Sequence, residues 1–241
     1  MNKKSSFKIL FLFFSFLFFS FAKSNSHNNP EAVTNNDSTA MAGTAVNDIS
    51  EVSMLSSALY ATAQLDQEGL SSKALELAVQ GYKKLLEEGT VQNSRYLTIV
   101  DLSQSSRSKR FYLLDMENMK LVKHTFVAHG KNSGLDEASR FSNRPNSEAS
   151  SLGFYLTKTT YNGKHGLSLK LSGLEEGFND NAEARGIVVH GAPYVNASRV
   201  NSGYMGRSQG CPALPENEFA SVINLIKDGS VLFVYNPDNN Y

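Results

Sequence analysis

The chain holds a single cysteine, Cys211, in 241 residues. No internal disulfide can form, which excludes a small scaffold stapled by disulfides. Neither sign of charge is in excess, with 23 Lys and Arg against 23 Asp and Glu. A basic surplus for gripping nucleic acid is absent, and so is an acidic tail. A neutral polymer or a small ligand fits this balance better. Long apolar stretches are missing too. The run from Ile9 to Phe21 covers about 13 residues, short of the roughly 20 that a membrane-spanning helix needs. No short histidine pair of the His-x-x-x-His kind points to zinc. No segment repeats.

The short apolar run has a meaning of its own. Lys3, Lys4 and Lys8 precede it, and Ser20-Phe21-Ala22 places small residues where a signal peptidase reads. This is the pattern of a secretory signal peptide over residues 1–22, cut after Ala22. No cysteine follows the run, so a lipid anchor is excluded, and no membrane span is expected after cleavage. Removal of three lysines and no acid leaves the mature chain mildly acidic. The expected location is the periplasm or cell envelope.

Residues 23–48 are rich in Asn, Ser, Thr and Ala, a composition that reads as a flexible linker. Residues 49–90 form a helical segment. Val52, Leu55, Leu59 and Ala63 recur at helical spacing, and so do Ala74, Leu75, Ala78, Val79, Tyr82, Leu85 and Leu86. From residue 91 to 238 the period shortens. Tyr96 to Val100, Arg110 to Leu114, Leu121 to Ala128, Phe154 to Thr157, Gly186 to His190 and Val231 to Tyr235 read as strands. Glu216 to Ile226 is an amphipathic helix. His129 to Ser151 is a long Gly/Ser/Asn-rich loop, and loops of that length are functional or disordered. The fold class is mainly β, preceded by a small two-helix segment, α+β overall.

A lone thiol in an exported chain deserves a chemical reading beside the plain one of a small buried hydrophobe. Cys211 sits in Ser208-Gln209-Gly210-Cys211-Pro212. Gly210 leaves room for a substrate backbone beside the sulfur, and Pro212 biases Cys211 to extended geometry. The N–H groups of Gly210 and Cys211 are candidates for an oxyanion hole. A thiol needs a base, because the thiolate is the nucleophile. Of five histidines, His27 lies in the linker and His124 within a strand. His129, His165 and His190 remain. His190 is preferred because it ends an apolar strand and Gly191 frees the space before it. Spacing alone proves no contact between His190 and Cys211.

The ordered motifs add to this. Val189-His190-Gly191 followed by Ser208-Gln209-Gly210-Cys211 resembles the L,D-transpeptidase (YkuD-like) catalytic domain family, whose signature is His-Gly, a loop, then Ser/Thr-His-Gly-Cys. Within it, Gly206-Arg207-Ser208-Gln209-Gly210-Cys211-Pro212-Ala213-Leu214 resembles the murein L,D-transpeptidase catalytic domain family protein branch. Ala128 to Gly134, Phe141 to Asn143, Ser150 to Gly153, Tyr161 to Gly166 and His190 to Ala192 resemble the same branch. The resemblance runs from about Leu55 to Tyr235.

That resemblance implies a β-sandwich catalytic domain with the site at its edge. It implies that Cys211 attacks the diaminopimelate carbonyl of a peptidoglycan tetrapeptide stem and that His190 is the base. An amine then takes the acyl group, or water does, giving a carboxypeptidase instead. No metal or cofactor is called for. Arg207, Ser208, Gln209, Gly191, His129, His165 and Tyr194 are the expected substrate-binding residues, and Asn196 with Tyr194 could form a lid. One position departs from the family: Gln209 stands where the signature has His. A second titratable ring beside the sulfur is missing, since an amide takes no proton at neutral pH. Two rival readings stay open, a metal site on His129, His165, His190 and Cys211, and a wall-binding protein without activity.

Overall fold

A computed structural model describes residues 37–237. The expected signal peptide and the start of the expected linker lie outside the described residues. Helix α1 (Asp37–Thr62) begins well before Ile49, so residues 37–48 are helical rather than linker. The stretch contains Ala40, Ala42 and Ala45, and alanine is the best helix former. The low apolar content had masked that propensity. Helix α2 (Ser72–Glu87) starts where the Ser71 side chain accepts the Ala74 N–H at 3.3 Å. It ends before Gly89, whose φ of +69° suits the residue that closes a helix. Its buried stripe is Ala74, Leu75, Ala78, Val79 and Tyr82.

Ten strands follow: β1 (Tyr96–Asp101), β2 (Phe111–Asp115), β3 (Lys120–Thr125), β4 (His129–Gly130), β5 (Gly153–Gly163), β6 (Gly166–Gly173), β7 (Val188–Ala192), β8 (Arg207–Ser208), β9 (Ala213–Pro215) and β10 (Val231–Tyr235). Helix α3 (Phe219–Ile226) lies between the last two. Eight strands make one sheet in the order β3-β2-β1-β10-β5-β6-β7-β9, and β4 pairs with β8 separately. The β1–β10 and β7–β9 pairs are parallel, and the remaining pairs in the large sheet are antiparallel. Strand β6 carries an alternation, Leu167, Leu169 and Leu171 with Ser168, Lys170 and Ser172 between them. The sequence reading passed over it, although it is the pattern of a half-buried strand.

The sheet is covered on both faces, and alternate residues serve each cover. Leu97, Ile99, Tyr112, Leu114, Val231 and Phe233 join Leu59, Leu75 and Val79 of the helix pair in one core. Val100, Phe111, Leu113, Leu232 and Val234 point the other way, into a core shared with Val222, Ile223 and Ile226 of α3. That second core also takes Leu169, Leu171, Val189 and Leu214, so it joins both ends of the sheet and seats the site strands β6, β7 and β9. No described helix is long and apolar enough to cross a membrane.

Helix α2 reaches the sheet through a glycine. A Cβ on Gly81 would lie 2.1 Å from Phe154 Cζ, and Phe154 stacks on Phe233 at 4.3 Å between ring centroids. Alanine would gain about 1 kcal/mol in helix propensity but force the ring aside at a cost of about 1–3 kcal/mol. Gly81→Ala should therefore lower the urea unfolding free energy by up to about 2 kcal/mol. A more stable variant would contradict this packing.

Candidate active site

His190 is fixed by strands on both sides. Its register partners are Ser168 of β6 and Ala213 of β9, and it is 3% exposed. Its Nδ1 lies 2.8 Å from the Gly191 carbonyl oxygen. A carbonyl only accepts, so Nδ1 carries the hydrogen and Nε2 keeps a free lone pair. That is the tautomer of a general base.

Cys211 lies on the turn that links β8 to β9, two residues before the Ala213 that pairs with His190. The turn is closed by Ser208, whose Oγ accepts from the Gly210 N–H at 3.1 Å and donates to the Cys211 carbonyl at 2.6 Å. Gly210 adopts φ +119°, and an added Cβ would meet the Ala149 carbonyl oxygen at 2.8 Å. Positive φ and close approach both require glycine here. The half-buried sulfur packs against the core on the α3 side of the sheet and donates to the Gly186 carbonyl at 3.8 Å. No hydrogen bond joins it to His190 in this resting arrangement.

Both groups nevertheless line one open cleft of about 710 Å³, with Lys164, His165, Tyr194 and Arg207 around them. Lys164 and His165 are the two loop residues of the β5–β6 hairpin, closed by the Gly163–Gly166 pair. The ring of His165 stacks on that of His190, 4.4 Å between centroids and 21° between planes. Burial pushes the Cys211 thiol up, against the opposing pull of the Val188 amide and the Arg185 and Lys164 charges. Burial also pulls His190 down, and the neighbouring His165 and Lys164 add to this. Both shifts favour a thiol and a neutral imidazole at rest. Tyr194 is pushed up to about 12, first by burial and then by the nearby sulfur, and so stays protonated.

The profile of the L,D-transpeptidase catalytic domain family matches residues 66–235, more than half of the chain. The chain belongs to this family. Among solved structures it is similar to the L,D-transpeptidase from Mycobacterium smegmatis, 15% identical over 59% of each chain, with a TM-score of 0.37. It is similar to the L,D-transpeptidase from Xylanimonas cellulosilytica at 18% identity, over 64% of this chain and 68% of that one, TM-score 0.35. L,D-transpeptidase 1 of Mycobacterium tuberculosis shows 12% identity, over 58% of this chain and 62% of that one, TM-score 0.35. The chain thus spans under two thirds of the length of the mycobacterial proteins. Comparison with curated proteins found no match.

Against the family signature, several expected residues take other roles. His129 does not line the cleft. It is wholly buried, its Nδ1 2.6 Å from Arg110 Nη2 and its Nε2 3.3 Å from the Gly134 carbonyl. Arg110 can only donate, so this histidine is a structural acceptor. Gly191 does not open space before the base. An added Cβ would strike the Phe219 ring at 2.6 Å, so the glycine serves the packing of α3. The Gly210 N–H is not free for an oxyanion, because Ser208 Oγ holds it. Ser208 itself spends its hydroxyl on closing the turn. Gln209 is exposed and donates to Glu148 at 3.5 Å. Arg207 reaches the cleft with its guanidinium 4.9 Å over the Tyr204 ring and Nη1 donating to the Lys131 carbonyl at 3.1 Å. Ser208 and Gln209 still line the cleft, as do His165 and Tyr194. Among the described residues no three metal-ligating side chains converge, and buried His129 takes no part in the four-residue metal set.

The sequence reading missed Arg185. Its Nη1 donates to the Ser142 carbonyl and Ser151 Oγ, at 2.7 and 2.6 Å. Its Nη2 donates to Ser147 Oγ and the Ala149 carbonyl, at 3.0 and 2.7 Å. This fork pins the expected long loop against the nucleophile turn. An arginine before an apolar strand carries no local signal of that task.

Buried His129 is held down to about 4, first by burial and next by the Arg110 charge. The fold therefore favours its neutral form. That contribution is complete above about pH 6.5 and is lost as pH falls toward the lowered value. Urea unfolding should show a loss on the order of 2–3 kcal/mol between pH 7 and pH 4.5, with His190 acting in the same direction. His129→Gln, which keeps an acceptor and a donor, should flatten this slope. An equal slope in the variant would rule His129 out as its source.

Proposed function

We propose that the protein is an exported L,D-transpeptidase that acts on peptidoglycan stem peptides through an acyl-enzyme at Cys211. One observation carries this reading: the lone thiol and an imidazole with a free Nε2 line the same open cleft in a chain of the L,D-transpeptidase catalytic domain family. The thiol leaves the Gly186 carbonyl and passes its proton to His190 Nε2 as sulfur bonds to the diaminopimelate carbonyl carbon. The Cys211 N–H, which has no backbone acceptor among the described residues, faces the developing oxyanion. His190 then returns the proton to the amine of D-alanine as its C–N bond breaks. An acceptor amine attacks the thioester, loses its proton to His190 and frees the thiol.

Charge in the cleft supports an anionic peptide as substrate. Lys164 and Arg207 form no ion pair among the described residues, and no carboxylate lines the cleft. Free carboxylates of a stem peptide fit such a surface. The lysine-flanked apolar run supports export to the envelope, where this polymer is built. Water in place of the amine would make the protein an L,D-carboxypeptidase from the same acyl-enzyme.

Incubation with purified tetrapeptide muropeptides, read by mass spectrometry, tests the reading. Loss of D-alanine with dimer formation is expected. Loss without dimers would assign the carboxypeptidase instead. A carbapenem should add its mass to the wild type and not to Cys211→Ala. His190→Ala should slow turnover by about 100-fold or more. No acylation and no loss of D-alanine would leave a wall-binding protein.

A further inference from the structure

His165 lies outside the family's His-Gly and Ser-x-Gly-Cys motifs, yet it covers the base. We infer that His165 is a positioning residue that holds the His190 ring flat in the cleft and keeps it unprotonated, ready to accept. The inference rests on the acyl-transfer reading for its consequence in turnover, but its physical content concerns two rings.

Three contacts determine where His165 stands. Ser168 of β6 pairs with His190, so the start of β6 runs beside the base. The tight hairpin then places Lys164 and His165 at the end of β5 and β6, beside the base. The imidazole plane of His165 settles on that of His190 at 4.4 Å. With Nδ1 tied to the Gly191 carbonyl and one face covered, the His190 ring has a single orientation, with Nε2 left for the thiol.

The same stack governs charge. Two imidazolium rings at this separation repel, so a proton on one opposes a proton on the other. The charged and titratable groups that line the cleft with His190 are Lys131 after β4, Tyr161 of β5, Lys164 and His165 of the hairpin, Tyr194 after β7, Arg207 of β8 and Cys211. Three are cations, of which Lys131 is paired with Glu148 outside the lining, and no carboxylate lines the cleft to offset the repulsion. Burial of His190 works in the same direction. Where the family signature puts a histidine next to the cysteine, this chain has the exposed Gln209. Here the second ring comes from a different segment, and it meets the base rather than the sulfur.

The test separates charge from packing. His165→Phe keeps an aromatic face on His190 and removes the second imidazole, while His165→Ala removes both. Imidazole NMR of His190 in the full chain should show its titration displaced upward by about half a pH unit or more in His165→Phe. The acid limb of kcat/KM on tetrapeptide muropeptides should move upward with it, at an unchanged Tm. His165→Ala should show the same displacement and a lower kcat. An unmoved His190 titration in His165→Phe overturns the inference, as does a displacement confined to His165→Ala. If the NMR displacement is present while even the wild type turns over no muropeptide, the transpeptidase reading fails and the inference about the rings stands.

Discussion

The site depends on the parallel pairing of β7 with β9. In a parallel pair, positions before the matched residues also lie side by side. The match of His190 with Ala213 therefore brings Cys211 level with Val188, whose amide approaches the sulfur. Parallel neighbours cannot be joined by a tight hairpin and need a long crossover. The chain between Ala192 and Ala213 is that crossover, with Tyr194, Arg207 and the Ser208 turn along it. The distance in sequence between His190 and Cys211 is the length of chain needed to return to the start of the next strand.

Around that pair the protein favours neutral groups. Burial raises the thiol and lowers the imidazole, so neither charge is stored at rest. Positive charge is held instead on side chains at the cleft wall and behind it. Lys164 and Arg207 line the opening, while Arg185 stands behind the nucleophile turn with its donors spent on the loop it pins. The first two are open to the cleft, and the third is not. Burial first keeps the His190 ring neutral, and no carboxylate lines the cleft to favour its charged form.

Rigidity comes from both cores. The helix pair and α3 cover opposite faces of the same sheet, so the site strands are backed by packed side chains. Several glycines that invite a functional reading belong to this packing. Gly191 makes room for Phe219 and Gly210 for the Ala149 carbonyl. Each lies next to a reactive residue because tight backbone approach is what holds that residue still.

Local patterns along the chain set the chemistry available. A lone cysteine in a Gly-Cys-Pro turn, a histidine ending an apolar strand and an ordered set of family motifs are all local patterns, and periodicity marks most of the elements that carry them. Which side chains meet was settled by the packing of distant segments. His129 and His165 both sit in glycine-rich loops and look equivalent along the chain. One is sealed against Arg110 and the other stacks on His190. Arg185 had no local signal at all, because its four acceptors come from residues 142–151. Strand register and long-range donors depend on how distant segments pack, and no short window of sequence contains that information.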